Sequence, residues 1–469
     1  MGWGLNSLVK IPIIPQHLLL SGATDKKSID YKAICVFAAT GFFLDDDTYY
    51  KEQKVLRPGF AYEPDETSGK VISAEPYFKW YYEPAERPLK KITEEFASIF
   101  ETIIHEQTGS NKIILPLSGG LDSRTQAAAL FHLKKQVHAY GYYYKDGIQE
   151  TAFSKKIASA CGFPFENWQV PEGYLWEKIN RLALLNKCYS EFARPRQMAF
   201  IDEYARLGDM FSLGHWGDVL FDDMGVDDAC SFDEMMNALL KKVTRKGGLE
   251  LATSLWKAWE LEGSFEDYFH ERIRSLLAAI DITGSANARI RAFKSLYWAP
   301  RWTSANLCIF ESVKPVALPY YDERMCNFIC TVPEKYLAGR QIQIEYLKLR
   351  SPQLASIAWQ DHRPFNLYNY HRNHFPYSLP YRLREYAAKA LRTVTKKVLV
   401  KENYQLQFMG SSNDEKLRSV LFSQARFKDF VPQETVRYFY DKFKTGNPVW
   451  YYHPVSTLLT LSKFSELYQ

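Results

Sequence analysis

Ser118-Gly119-Gly120-Leu121-Asp122-Ser123 is where residue types and spacing speak most directly of chemistry. The stretch follows an apolar segment, Lys112 to Leu117, that reads as a strand. It opens a segment from about Ser123 to Leu133 that reads as a helix. A glycine pair at that junction permits a tight turn and close backbone approach to a ligand. A helix N-terminus offers an anion free N–H groups and a positive dipole end, and the hydroxyls of Ser118 and Ser123 add donors. Leu117 through Ser123 thus form a candidate phosphate cradle. A carboxylate in such a cradle repels phosphate unless a divalent cation stands between them, so Asp122 points to Mg²⁺. No Gly-Lys-Ser/Thr follows, which excludes a Walker A loop, and the glycines do not have the dinucleotide-binding spacing.

A second loop, Gly214-His215-Trp216-Gly217-Asp218-Val219-Leu220-Phe221, follows another short apolar segment, Met210 to Leu213. In a doubly wound sheet, loops at the carboxyl ends of different strands converge on one crevice. Asp218 is therefore expected to face Asp122 and share the metal, with Gly214 and His215 beside the phosphates.

The first loop resembles the pyrophosphate-binding loop of the ATP pyrophosphatase superfamily. At both loops the chain resembles the synthetase domain of asparagine synthetases. That family has SGG-[LMV]-DS and, about a hundred residues later, G-x-G-x-D-E-L-F. Asp218 matches the metal-binding acid of the second motif, and Leu220 and Phe221 match its apolar end. The resemblance runs from about Phe42 to Asp322. Leu56-Arg57-Pro58-Gly59 resembles the last strands of the family's glutaminase domain, Trp80 the aromatic of its linker, and Pro319-Tyr320-Tyr321-Asp322 its P-F-L-D. The resemblance implies activation of a carboxylate by Mg²⁺-bound ATP, giving an acyl-adenylate and pyrophosphate, then amide formation with an amine or ammonia.

The departures from the family bear on the acceptor. His215 and Val219 stand where the family usually has acids, Asp222-Asp223 where it has Gly-Gly, and Pro315 and Ala317 where it has Glu and Arg. In place of the family's synthetase lysine, the stretch Trp359 to Phe365 offers His362 or Arg363, candidate cations for the α-phosphate; His215 is a candidate base or phosphate donor. Tyr320 reads as packing. The glutaminase nucleophile is a cysteine after the initiator methionine, and Gly2 stands there, so no intrinsic glutaminase activity is expected. Nitrogen then comes from ammonia, an external amine or a separate amidotransferase partner. The carboxylate is aspartate or an aspartate-like acid. The alternatives are a ligase or cyclase acting on a peptide or a sugar acid, and a catalytically silent nucleotide-binding relative.

These loops need a sheet to hold them. Strand-like segments at Lys112–Leu117, Val137–Tyr144, Phe165–Val170 and Met210–Leu213 alternate with helical ones at Ser123–Leu133, Gln149–Ala160 and Gly173–Lys187. That alternation predicts an α/β fold with a doubly wound parallel sheet, adenine nucleotide α-hydrolase-like by resemblance. A helix from about Leu89, ending at Gly109, precedes it, and beyond Ser231 the pattern is mainly helical. Three regions are expected: residues 1–83, a β-rich glutaminase-like remnant with strand-like runs at Lys32–Leu44, Val55, Phe60 and Val71; residues 84–400, the ATP pyrophosphatase domain; and residues 401–469, a helical extension. The run Ala33 to Leu44 is expected to form a long apolar strand in a small sheet, packed near the helix that starts around Pro88.

Composition sets the remaining bounds. The chain has 469 residues, 46% hydrophobic and 24% charged, ordinary globular values. Mean hydropathy is −0.32 and no apolar stretch approaches the ~20 residues a bilayer span needs, so no membrane helix is expected. The 59 basic and 54 acidic residues give a net charge of only +5, small for a nucleic-acid binder. Tyr381 to Glu402 alone carries seven Lys/Arg against two Glu, with Leu383 and Tyr386 on one helical face; it reads as a packed helix with a solvated basic side. Seven scattered cysteines without a C-x-x-C pair point to free thiols and a reducing compartment, and no convincing targeting segment appears; cytoplasmic is expected. Cys326 and Cys330 read as buried, inert thiols on one helix face.

Overall fold

A computed structural model describes residues 28–64, 71–147, 151–394 and 399–468. Its centre is a five-stranded parallel sheet in the order β5-β4-β3-β6-β7: β3 (Ile113–Pro116), β4 (Val137–Tyr143), β5 (Phe165–Gln169), β6 (Met210–Ser212) and β7 (Val316–Ala317). The order runs outward from β3 in one direction through β4 and β5, then restarts on its other side with β6. The strand order thus changes direction between β3 and β6, and open α/β sheets form ligand crevices at such points. Ile113, Ile114 and Leu115 of β3 are fully buried, as expected of a central strand covered on two sides.

The helices α2 (Leu89–Thr108), α3 (Leu121–His132), α4 (Thr151–Ala160) and α5 (Tyr174–Asn186) fall where the sequence places them. In α2, Ile92, Phe96, Phe100, Ile103 and Ile104 form the buried stripe, and Gly109 caps its end. Beyond Ser231 the described residues form helices and connecting loops, with β7 the one strand among them. No helix among the described residues is long and apolar enough to cross a membrane. All seven cysteines are free; Cys326 and Cys330 are buried, which pushes their thiols above the ordinary range.

The N-terminal region corrects the sequence reading. The apolar run expected as a strand is the helix α1 (Tyr31–Thr40). Asp30 caps it, accepting from the Ala33 N–H at 3.0 Å, and Gly41, left-handed at φ +82°, ends it by donating to the Phe37 carbonyl at 2.7 Å. Every residue from Ala33 to Thr40 is buried. A helix surrounded on all sides has no polar face, so its sequence lacks the 3.6-residue rhythm that marks a helix. It packs against the helix Gly248–Ala258 and under the final helix, Pro448–Tyr468, whose His453 meets the Ala38 carbonyl; it does not sit in a small sheet beside α2. Of the other expected strands, those near Phe60 and Val71 form as the antiparallel pair β1 (Phe60–Pro64) and β2 (Val71–Pro76), while Val55 lies in a loop. Cutting the chain before Pro84 would bare the surface that α1 covers. The expected product is insoluble or markedly lower-melting; an unchanged melting temperature in a soluble product would show α1 to be dispensable.

The basic segment also differs from expectation. It forms a helix, Leu379–Val394, but Leu383 and Tyr386 on its apolar face are 58% and 68% exposed. Residues 401–407, expected within an extension, are tied to α5 and the loop after it: Asn403 donates to the Tyr174 hydroxyl and the Ala193 carbonyl, both at 3.0 Å, and Gln407 accepts from the Leu175 N–H at 3.1 Å.

Candidate functional site

β3 leads directly into the glycine loop. Leu117 extends the ladder, donating to the Tyr140 carbonyl at 2.8 Å, and the chain then turns through Ser118, Gly119 and Gly120 into α3. The loop is held from within: the Ser118 N–H donates to Ser123 Oγ, and the two serine hydroxyls lie 3.0 Å apart. It is also clamped from behind by Arg124, which is fully buried and donates to the carbonyls of Gly119, Ile357 and Ala358 at 2.9–3.0 Å. Burial lowers its guanidinium pKa to about 10.

Asp122, in the first turn of α3, meets the second loop. That loop follows β6 and forms a single helical turn, α6 (Gly217–Leu220), with Trp216 left-handed at its start. Gly217 lies so close that a Cβ there would stand 2.4 Å from Asp122 Oδ1, so a side chain at this position would displace the Asp122 carboxylate. Asp122 Oδ1 pairs with the Arg340 guanidinium and accepts from Gln343 Nε2 at 3.1 Å, and Gln343 also donates to the Tyr320 hydroxyl. Burial pushes the Asp122 carboxyl up to about 6; Arg340 opposes that rise and Asp218 adds to it. Asp122 and Asp218 are therefore electrostatic neighbours.

A cavity of about 340 Å³ opens over the carboxyl ends of β3, β4 and β6. Leu117, Ser118, Asp122, Ser123, Gly214 and His215 line it, joined by Tyr140, Tyr142 and Arg196. Gly119, Gly120 and Leu121 shape the loop without lining this cavity, and Asp218 stands on the exposed side of α6. Burial lowers the His215 pKa to about 4, so the ring is neutral at pH 7, and its Nδ1 has no hydrogen-bond partner. His362 and Arg363 lie near the loop but not on the cavity wall. The segment touches the loop through Gln360, whose N–H points to the Gly119 carbonyl at 3.5 Å, while His362 packs on the Trp359 and Tyr370 rings and Arg363 lies beside Tyr381. Tyr320 is fully buried, with its hydroxyl pKa pushed far up, which suits packing.

Two cations at this site escape the sequence. Arg340 is left-handed at φ +62° and stands among Asp122, Asp218 and Asp222. Lys294 lies 5.0 and 5.6 Å from the Trp298 and Trp216 ring centres, near Asp218, and burial lowers its ammonium pKa to about 8. Neither belongs to a motif; both arrive from helices distant in sequence. Among the described residues no group of three or more His, Cys, Asp or Glu could hold a metal by itself. Mg²⁺ needs only one or two carboxylates when phosphates and water complete its shell; Asp122, held by Arg340 and Gln343, and its neighbour Asp218 are the acids at this junction. No family model matches the chain, and no curated protein matches it.

A buried histidine elsewhere provides a pH test. His453 is 1% exposed, donates through Nε2 to the Ala38 carbonyl at 2.9 Å, and has its pKa lowered to about 3 by burial. An unfolded histidine, with a pKa of about 6.5, takes a proton first as pH falls. Stability contributed by His453 is therefore full above pH ~6.5 and declines towards pH ~3, by up to a few kcal/mol. The difference in unfolding free energy between His453→Asn and wild type should narrow over that window; parallel profiles would contradict the assignment.

Proposed function

We infer that the chain is an ATP-dependent, AMP-forming amide ligase of the asparagine synthetase type, with a doubly wound, adenine nucleotide α-hydrolase-like sheet. The observation that supports this best is the glycine loop between β3 and α3, where the strand order changes direction, with a second acid-bearing loop against it across Gly217. When bound, Mg²⁺ and ATP supply an α-phosphorus that a carboxylate attacks with loss of pyrophosphate. The N–H groups at the start of α3 and the Ser118 and Ser123 hydroxyls bind phosphate oxygens. Asp122 and Asp218 would hold the metal. Arg340 keeps the Asp122 carboxylate oriented. His215, neutral and with Nδ1 unpartnered among the described residues, can hydrogen-bond a phosphate or the attacking amine from the cavity wall.

ATP–pyrophosphate exchange against a panel of carboxylates tests the reading. Mg²⁺-dependent exchange stimulated by at least one acid is expected. Nucleotide binding without exchange for any acid would favour the catalytically silent alternative.

A further inference from the structure

The basic helix Leu379–Val394 stands apart from the body of the protein. From Leu379 to Ala387, Tyr381 alone is partly covered; the other residues are exposed. Tyr381 interacts with Arg363, in the segment that reaches the glycine loop, and Ser378, just before the helix, is buried. After the helix the chain returns to the end of β4, where the Val400 N–H donates to the Asp146 carbonyl at 3.3 Å. The chain is thus tied down on both sides of the helix, and the helix faces can be assigned. At about 100° per residue, Leu379, Leu383, Tyr386 and Ala387 share one side and Tyr381 lies on the other. The attached side is therefore the polar one, and the apolar side faces solvent. Phe375 and Tyr377, a few residues upstream, are exposed as well. Among the described residues, five of the sixteen exposed large apolar side chains fall between Phe375 and Tyr386. Single exposed apolar residues scattered over a surface need no explanation, but a cluster marks a site of contact.

We propose that this helix attaches the protein to an anionic lipid surface, lying in the plane of the interface with Leu379, Leu383 and Tyr386 inserted at the acyl boundary. An isolated helix of this length is marginal in water and draws its stability from a surface that takes up its apolar face. Arg382 and Arg384 stand about 100° to either side of Leu383, one at each border of that face. Neither has an ion-pair partner among the described residues. When leucine and tyrosine enter the acyl boundary, long cationic side chains at both borders reach the level of the lipid phosphates. The segment from Tyr381 to Glu402 carries seven Lys/Arg against two Glu, which favours a negatively charged surface. A convex ridge of protruding side chains enters a fluid layer readily, whereas a protein partner must offer a groove cut to it. Nucleic acid would satisfy the arginines but leave the leucines in water. A helix of this kind lies on a bilayer without crossing it, in keeping with the absence of a spanning helix among the described residues.

Co-sedimentation of the full chain with lipid vesicles provides the test. The protein should bind vesicles of roughly 3:1 phosphatidylcholine and phosphatidylserine about tenfold or more tightly than phosphatidylcholine alone, and added salt should shrink that preference. Arg382→Gln with Arg384→Gln should weaken binding to the anionic vesicles about tenfold or more, since each cation near such a surface contributes about fivefold. Leu383→Asn with Tyr386→Asn should weaken it about as much, by removing inserted apolar area while leaving the charge unchanged. Both variants should melt with wild type, because neither pair of side chains supports the fold. No binding to anionic vesicles, or binding that survives both double substitutions, would overturn the proposal. So would a lower melting temperature or a changed oligomeric state in the Leu383/Tyr386 variant, either of which would place that face against the chain itself or a second copy. Binding of single-stranded RNA, lost in the arginine variant, without binding to vesicles would assign the helix to nucleic acid instead.

Discussion

Asp122→Asn is expected to lower Mg²⁺-dependent ATP–pyrophosphate exchange a hundredfold or more, about what the loss of one key electrostatic group costs in comparable sites. The same variant should be as stable as wild type at pH 7, or more so. Burial raises the Asp122 carboxyl to about 6, whereas in the unfolded chain it ionises near 4. As pH rises between those values the unfolded state loses its proton first, so ionising this group favours unfolding. Asparagine removes that cost and still offers Oδ1 to Arg340 and Gln343, the present partners of the carboxylate. Asp122→Ala, by contrast, leaves Arg340 and Gln343 with no acceptor at this position and should melt lower. Asp218→Asn, on the exposed side of α6, should match the loss of exchange with little change in melting. Exchange within twofold of wild type in either asparagine variant would refute the metal assignment; a lower melting temperature for Asp122→Asn would refute the electrostatic account of the loop.

Glu334→Gln should cost about 3–5 kcal/mol of unfolding free energy, the usual result of breaking one side of a buried ion pair. Arg291 and Glu334 are 2% and 8% exposed and meet in two contacts of 2.5 and 2.7 Å. Arg291 also donates to the carbonyls of Val219 and Asp222, at 3.2 and 2.8 Å, and so holds the end of the second loop. The pair thus links core stability to the position of Asp218. Replacing both partners with apolar residues, Arg291→Met with Glu334→Leu, should recover much of the loss, since no charge is left buried alone. Denaturant unfolding measures both; a single variant within 1 kcal/mol of wild type would mean that water already reaches the pair.

What could be read from the chain alone was what is local. A β-branched run, a glycine pair and a helix N-terminus are neighbours in sequence, so β3, the loop and α3 follow from their own residues, and the alternation that continues through β6 predicts the parallel sheet. The loop beginning at Gly214 was legible for the same reason. Local signals failed where a residue's surroundings come from elsewhere. α1 looked like a strand because burial on every side erases the polar face that reveals a helix. The basic helix Leu379–Val394 looked packed because its pattern is amphipathic, yet nothing among the described residues covers Leu383 and Tyr386. The stretch from Trp359 to Phe365 does reach the loop, through Gln360, while ring stacking on Trp359 holds His362 aside.

Composition, motif and periodicity determined that the chain has an α/β fold with a glycine loop between strand and helix and a second, acid-bearing loop after a later strand. Tertiary structure alone decided which cations meet those acids and what borders the cavity over the loop. Arg340, Lys294 and Arg196 lie on segments separated by tens to hundreds of residues, and none carries a pattern of its own. Charges interact through space as the inverse of distance and the local dielectric. Their partners are therefore set by how helices pack on the sheet, which no local run of residues encodes.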